Sequence, residues 1–416
     1  MNLAETQLTV KKWAFIVVIM TFTYYTGKFV LFTGFGIYQK LFPKEIPAPE
    51  ASFGKLPTLE MPTYQIKGTP TYTLETDSGF LPQFPDRINV YKIIQPTPNL
   101  LAESRVKELA TDLYFTTGFT KKSISEFQWI DANAQKQMTA NVITQNFSVK
   151  TQLSKLASVV SNVDTITEED AINMASGFIK SKALLPKAEE DTMRFETIPS
   201  IINLARYQDM TRFPRQAKVI KVNVYRSINQ KVPFTNEYKN YDILGPNPKE
   251  SLISFFVTNH KDKYKFPDIN FTHWNIDMES KSTYPISNVN DVWNIVQSNK
   301  GVIAYVKLDE EGYYSKYTPI EISEIKIRDV SLAYYEQTQY TQYLQPIYVF
   351  KGTFKTKPEA GSLAKKGDIV IYYPAVTGEY IQPAKPKEEK ETKTEVKNIT
   401  PKPAPKIEDI KPTGIQ

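Results

Sequence analysis

WAFIVVIMTFTYYTGKFVLFTGFGIY, Trp13 to Tyr38, is the stretch around which this chain is organised. A bilayer core about 30 Å thick takes roughly 20 helical residues at about 1.5 Å each, and Ala14–Phe35 is long enough. Gly27-Lys28 interrupts the run. An ammonium near mid-bilayer costs about 3 kcal/mol on insertion scales. Lys28 lies towards the C-terminal end, however, where its stem can carry the charge to the head groups. Trp13, Tyr24, Tyr25 and Tyr38 are residues that favour interfaces. No small-x-small site follows and the apolar character resumes after Lys28, which argues against a cleaved signal peptide. A proline-rich stretch directly behind argues against a buried globular helix. The expectation is a leader at 1–12 and an uncleaved transmembrane signal-anchor at 13–38. Lys11 and Lys12 on one side nearly balance Lys40 and Lys44 on the other, so flanking charge does not set the orientation. A cytoplasmic N-terminus with an extracytoplasmic C-terminal part is the simplest way to export the large polar remainder from the cell membrane.

That remainder can fold. Of the 416 residues, 41% are hydrophobic and 23% charged, enough for a real core. The net charge of +6 is spread through the chain. It forms no basic stripe with interleaved aromatics, so nucleic acid is not an expected partner. The absence of cysteine excludes disulfides, thiolate metal sites and cysteine nucleophiles. An exported domain without disulfides is ordinary in bacteria and unusual in a eukaryotic ectodomain.

Prolines 43, 47, 49, 57, 62, 70, 82 and 85 mark residues 39–86 as an extended, semi-rigid spacer, with Thr71–Thr76 alternating like a strand. A first α+β unit is expected over 87–200. It has a strand at Asp86–Ile93 and a helix from Asn99 to Leu113, then a strand pair at Ser125–Asp131 and Met138–Val149. The segment Asn146–Val160 reads equally as strand or helix. Thr167-Glu168-Glu169-Asp170 is the clearest helix start, a capping hydroxyl followed by acids that suit the dipole. A strand-rich second unit is expected over 201–382. Its strands fall at Lys218–Ile228, Ser251–Asn259, Asp268–Asp277, Val302–Lys307, Ile320–Tyr335, Tyr343–Phe354 and Asp368–Pro374, and Asn288–Ser298 forms a helix. Helices packed on antiparallel sheets make the fold class α+β. Residues 383–416 are Lys, Glu and Pro with almost no aromatic character, and are expected to be a disordered tail.

The order of YPISNVNDVWNIVQSNKGVIAYV (284–306), IKIRDVSLAYYEQTQYTQYLQPIYVFKG (325–352) and GDIVIYYPAV (367–376) resembles the extracytoplasmic regulatory proteins of the YycH/YycI type. EEDAINMASGFIKSKALLP (168–186) is similar to the helix that opens their PepSY-like units. FGKLPTLEMP (53–62) and LPQFPDRINVYKI (81–93) resemble phrases in uncharacterised single-anchor membrane proteins of Patescibacteria. The resemblance implies two related units, each a helix on a curved antiparallel sheet, and a sensor kinase as partner. The proline-rich spacer and the Lys/Pro tail are not part of the YycH/YycI pattern.

Catalytic signatures are missing. There is no H-E-x-x-H, G-x-S-x-G, phosphate loop or G-x-G-x-x-G, so no cofactor, metal or catalytic residue is expected. The histidines are His260, in a turn, and His273, on a strand near Asp268 and Asp277. The functional expectation is a non-enzymatic binding or regulatory protein of the cell envelope. Its candidate contacts are Gly27, Gly34 and Gly36 on the anchor, where small residues allow close helix approach. Tyr334, Tyr335, Tyr340 and Tyr343 on a hairpin are the others, since tyrosine is enriched at binding surfaces. The alternatives are a structural surface or wall-associated protein and a carboxylate-dependent glycan hydrolase.

Overall fold

The computed structural model describes residues 3–41, 48–204, 206–233, 235–358 and 362–383. In chain order these form α1 (Leu3–Leu41), β1 (Thr71–Leu74), β2 (Arg87–Ile93), α2 (Ala102–Asp112), β3 (Phe119–Lys121), β4 (Glu126–Asp131), β5 (Lys136–Asn141), β6 (Phe147–Thr151), α3 (Leu153–Val160) and α4 (Glu168–Ser181). There follow the one-turn α5 (Lys187–Glu190), β7 (Arg194–Asn203), β8 (Arg206–Asp209), β9 (Val219–Lys231), β10 (Tyr238–Leu244), β11 (Ile253–Thr258), β12 (Ile269–Phe271) and β13 (Ile276–Pro285). The chain ends with α6 (Val289–Gln297), β14 (Val302–Leu308), β15 (Ile322–Tyr335), β16 (Tyr343–Thr356) and β17 (Lys366–Pro374). The class is α+β. The tail expected at 383–416 lies, beyond Pro383, outside the described residues.

In α1, the window Lys11–Val30 has a mean hydropathy of 1.3 and none of it is buried. Length and composition make it a candidate single membrane span. The hydroxyls of Thr21, Thr23 and Thr26 donate back to the carbonyls of Val17, Ile19 and Phe22 at 2.7, 2.8 and 2.7 Å. Such back-bonding satisfies a hydroxyl without water, as a hydrocarbon environment requires.

The strands form a large, mostly antiparallel sheet. One part runs β3–β4–β5–β6–β12–β11–β9–β7–β8, antiparallel throughout. It buries Val106 and Leu109 of α2 and Ala171, Ala175 and Ile179 of α4 against Phe127, Met138, Val222 and Phe255. α4 starts where the capping argument places it, with Thr167 Oγ1 accepting the Asp170 N–H at 3.1 Å. The other part is the antiparallel run β15–β16–β17–β14, with β2 bridging β16 to β13. β1 and the end of β10 add to β15 in parallel. Here Val292 and Val296 of α6 pack against Ile325, Phe350 and Ile371. β9 serves both parts. Residues 219–225 pair with β7 and β11, and residues 226–231 pair with β10.

Three expectations are corrected. Asp268–Asp277 is not one strand but β12 and β13, separated at Thr272–Asn275. There the His273 N–H goes to Asn146 Oδ1 at 2.9 Å, not to a ladder carbonyl. Met138–Val149 likewise splits into β5 and β6, because Asn141 Oδ1 accepts the N–H groups of Ile143 and Thr144 at 2.9 and 3.0 Å and forms a turn. The described part of the 39–86 spacer is a strap bound to the body. Leu56 is fully buried and pairs with Ile381, Tyr64 bonds to Ile303, and β1 pairs with β15. Without N–H groups its prolines suit an edge position. The segment Asn146–Val160 resolves as β6 followed by α3.

Gly352 on β16 sits where the β15–β16 register shifts between Ile327 and Asp329. A Cβ there would collide with the Lys326 carbonyl oxygen and the Ile327 Cα, both backbone. Gly352→Ala is expected to destabilise the fold by about 1–3 kcal/mol, the range for overpacking. An unchanged urea midpoint would refute this close approach.

Candidate functional site

A cleft of about 830 Å³ opens where the regular elements stop. Its walls are the extended strip Ile94–Asn99 leaving β2, one face of α2, the β5–β6 turn, the end of α4 through Pro186, and the Phe271–Asn275 break between β12 and β13. Each wall is irregular for a local reason. Pro96 and Pro98 cannot continue the β2 ladder. Asn99 Oδ1 accepts the Leu101 N–H at 2.9 Å, a turn that precedes α2 by two residues and does not cap it directly. α4 ends in a Schellman motif: Ala183 N–H bonds to Lys180 O at 3.2 Å and Leu184 N–H to Ile179 O at 3.1 Å. Ala183 occupies the left-handed position at φ 47°, where glycine is usual, and Gln145 on the opposite wall has φ 60°.

The lining is polar but balanced. Arg105 and Lys182 are its basic side chains and Glu108 and Asp112 its acidic ones, and Lys182 Nζ meets Asp112 Oδ2 at 2.5 Å. The carboxamides of Gln95, Asn99, Gln145, Asn146 and Asn275 supply donors and acceptors without charge. Leu184, Leu185, Phe271 and Trp274 give the apolar part.

Below the cleft lies a buried ion network. His273, on the cleft wall, brings Nε2 to 3.0 Å from Glu189 Oε2 of α5. The same oxygen takes Arg226 Nη1 at 2.6 Å, and Arg226 Nη2 reaches Glu336 Oε1 and Oε2, both at 2.5 Å. The side chains of Arg226 and Glu336 are each 3% exposed. Burial alone would raise the Glu189 carboxyl. The Arg226 guanidinium and the His273 hydrogen bond outweigh it and hold its pKa at about 2. A carboxylate only accepts, so His273 Nε2 carries the hydrogen. Burial works against the Arg226 cation, and the two carboxylates raise its pKa nonetheless.

In the sequence His273 stands near Asp268 and Asp277, but no site is expected there. Asp268 instead accepts the Thr151 N–H at 2.9 Å and the Tyr207 hydroxyl at 3.3 Å, and Asp277 caps the turn at Glu279 and Ser280. Glu189, Arg226 and Glu336 were missed. The only sequence signal was an arginine inside a β-branched run; in the structure the first eight residues of that strand, Val219–Arg226, are all buried. Among the described residues no group of three or more His, Asp or Glu side chains is placed to hold a metal ion.

The expected contact residues are scattered. Gly27, Gly34 and Gly36 all lie in α1, and a Cβ at Gly27 would have nothing within 4 Å. Tyr334 and Tyr335 are 0% and 1% exposed, which corrects their reading as partner contacts. The end of β15 is covered on both faces, so Tyr334 enters one core cluster and Tyr335 another. Their hydroxyls donate to Asn89 O at 2.6 Å and Glu60 O at 3.1 Å. Tyr340 is 36% exposed and stands edge-on to Trp274 of the cleft, and half-buried Tyr343 stacks on Phe53 of the strap.

No family model matches the chain, and no curated protein matches it. Among solved structures the chain is similar to an uncharacterized protein from Eubacterium rectale. The identity is 12%, over 70% of this chain and 85% of that one, with a TM-score of 0.38.

Glu189 titrates at about 2 in the folded chain against an ordinary 4.5. Its stabilising contribution is therefore complete above pH 4.5 and is lost as pH falls towards 2, a difference of roughly 2–4 kcal/mol. Glu189→Gln should remove about that much at pH 7 and flatten the acid limb of a stability–pH profile. An unchanged limb would show that the network does not hold the carboxylate. Ala183→Gly should act oppositely. Relief of the left-handed alanine exceeds the added unfolded-chain entropy by about 0.5–1 kcal/mol, so the thermal midpoint should rise.

Proposed function

We propose that this chain is a membrane-anchored, non-enzymatic binding protein of the cell envelope, and that the cleft receives its partner. α1 tethers it with the N-terminus in the cytoplasm and the folded part outside. The observation that carries this reading is the lining of the cleft, where two basic side chains stand against two acidic ones, Lys182 pairs with Asp112, and five carboxamides supply hydrogen-bonding groups. Such a surface suits an uncharged, hydrogen-bonding segment such as an extended loop of another envelope protein. In the version the resemblance implies, that protein is a sensor kinase. Gly27, Gly34 and Gly36 of α1 offer a second contact, within the bilayer.

Two features favour binding over catalysis. The His273 Nε2–H is committed to Glu189, and the Glu189 carboxylate is committed to Arg226 as well. Of the cleft carboxylates Glu108 and Asp112, the second is neutralised by Lys182. A glycan hydrolase needs one carboxyl free to give a proton and another free to accept or attack.

The chain has no cysteine, so a single cysteine at the cleft rim is a unique crosslinking site. Asn99→Cys and Gln145→Cys, carrying a short photo-crosslinker in intact envelopes, should capture the same species. Leu363→Cys, on a 91% exposed loop, should not capture it. Rim positions that crosslink no more than position 363 would overturn the reading. Gly27→Leu, Gly34→Leu and Gly36→Leu should lower the yield without releasing the chain from membranes.

A further inference from the structure

The two leads of the folded body meet at one place. The anchor lead enters at Glu50, Ala51 and Ser52, which bond to Thr283 and Ser282 of β13. The C-terminal lead leaves at Gln382, and Leu56 and Ile381 form a parallel bridge between the two. Leu56 N–H donates to Tyr380 O and Gln382 N–H to Leu56 O, both at 2.8 Å. The Gln382 side-chain amide donates to Lys55 O at 2.8 Å and the Thr58 hydroxyl to Gln382 O at 2.7 Å. Leu56 is fully buried with Val90, Tyr284 and Val376, so water is kept from one side of its two backbone bonds, while the two side-chain bonds lie exposed. Hydrogen bonds shielded in this way are electrostatically stronger than exposed ones.

Direction is the informative feature. Because the bridge is parallel, both leads run the same way along it. Tension from the anchor first loads the bonds of Glu50, Ala51 and Ser52 to β13 and, once they yield, draws Leu56 towards its upstream end, while a grip on the segment beyond Pro383 draws Ile381 towards its downstream end. These pulls oppose one another along the strand axis, and the bonds must fail together. In an antiparallel bridge the same leads would open one bond at a time.

We propose that this patch is a mechanical clamp. It gives the protein a load-bearing function, passing tension from the membrane to whatever grips the C-terminal segment while the sheet and the cleft stay folded. The proposal rests on the anchoring part of the function proposed above. Its geometry does not depend on what fills the cleft.

The test is single-molecule pulling on the full chain in detergent, with handles on Lys44→Cys and Lys385→Cys, the only thiols present. The expected record is a high-force opening event that precedes unfolding of the body. Gln382→Pro removes the N–H that bonds Leu56, and Thr58→Val removes a side-chain bond at an exposed position. Each should lose or weaken that event while the urea midpoint of the body stays unchanged. Leu56→Ala should abolish the event, and any loss of folding in that variant is read from its urea midpoint. Equal opening forces in the unmodified chain, Gln382→Pro and Thr58→Val would overturn the clamp. Carbonate extraction of the full chain from membranes reads the anchoring separately, so failure of that premise is distinguishable from failure of the clamp.

Discussion

The guanidinium of Arg226, held between Glu189 and Glu336, is the constraint on which the rest of the molecule depends. Arg226 lies in β9 at the residue where pairing passes from β7 and β11 to β10. Glu336 follows β15 and bonds through its N–H to Leu244 at the end of β10, and Glu189 sits on α5, just past the cleft wall. One cation thus joins the α2–α4 core, the β15–β16 core and the cleft. Its contribution is better described as specificity than as stability. Bringing three charges out of water costs several kcal/mol per ion, and a well-packed apolar trio could stabilise as well. A buried guanidinium deprived of either carboxylate is penalised by about 3–5 kcal/mol. A pairing of β9 that parted Arg226 from either carboxylate would incur that penalty.

The same logic explains why the cleft is where it is. Regular strands satisfy their own backbone, so the open places are those where a side chain has replaced a ladder bond: Asn141 at the β5–β6 turn, Asn146 at His273, Asn99 ahead of α2. These asparagines terminate elements and at the same time line, or border, the cavity. The left-handed Ala183 and Gln145 complete the set. Strain and polar irregularity gather around one volume, the pattern expected where a fold yields local stability to make a surface.

Local chemistry was legible and long-range burial was not. α4 and α6 could be read because their starts are written in adjacent residues, Thr167 before three acids and Asn288 before Val289. The β15–β16 hairpin could be read from its β-branched and aromatic runs. Whether a strand is covered on one face or two depends on partners far along the chain. Lys218–Ile228 looks amphipathic, yet β9 is enclosed on both faces, and this hid Arg226. Tyr334 and Tyr335 were misread for the same reason. The strap was misread because proline reports the conformation of a segment and not what it lies against.

Charge supplies the last link between fold and site. The chain carries a net +6, but the cleft lining balances Arg105 and Lys182 against Glu108 and Asp112, with Lys182 paired to Asp112, and beneath it Arg226 is paired with two glutamates. Paired charges present little field to an arriving ligand, since each partner cancels the other within a few ångströms and solvent screens the remainder over about 8 Å at physiological salt. Recognition then falls to neutral carboxamides, whose bonds are directional and short-ranged. A carboxamide can be satisfied by another hydrogen-bonding group in the right place, and left buried without one it costs about 1–3 kcal/mol. The cleft therefore discriminates by hydrogen-bond geometry more than by charge, and that geometry is only as fixed as the walls carrying it. Those walls are fixed by Asn141, Asn146, the Schellman turn at Ala183 and, beneath them, the ion network centred on Arg226.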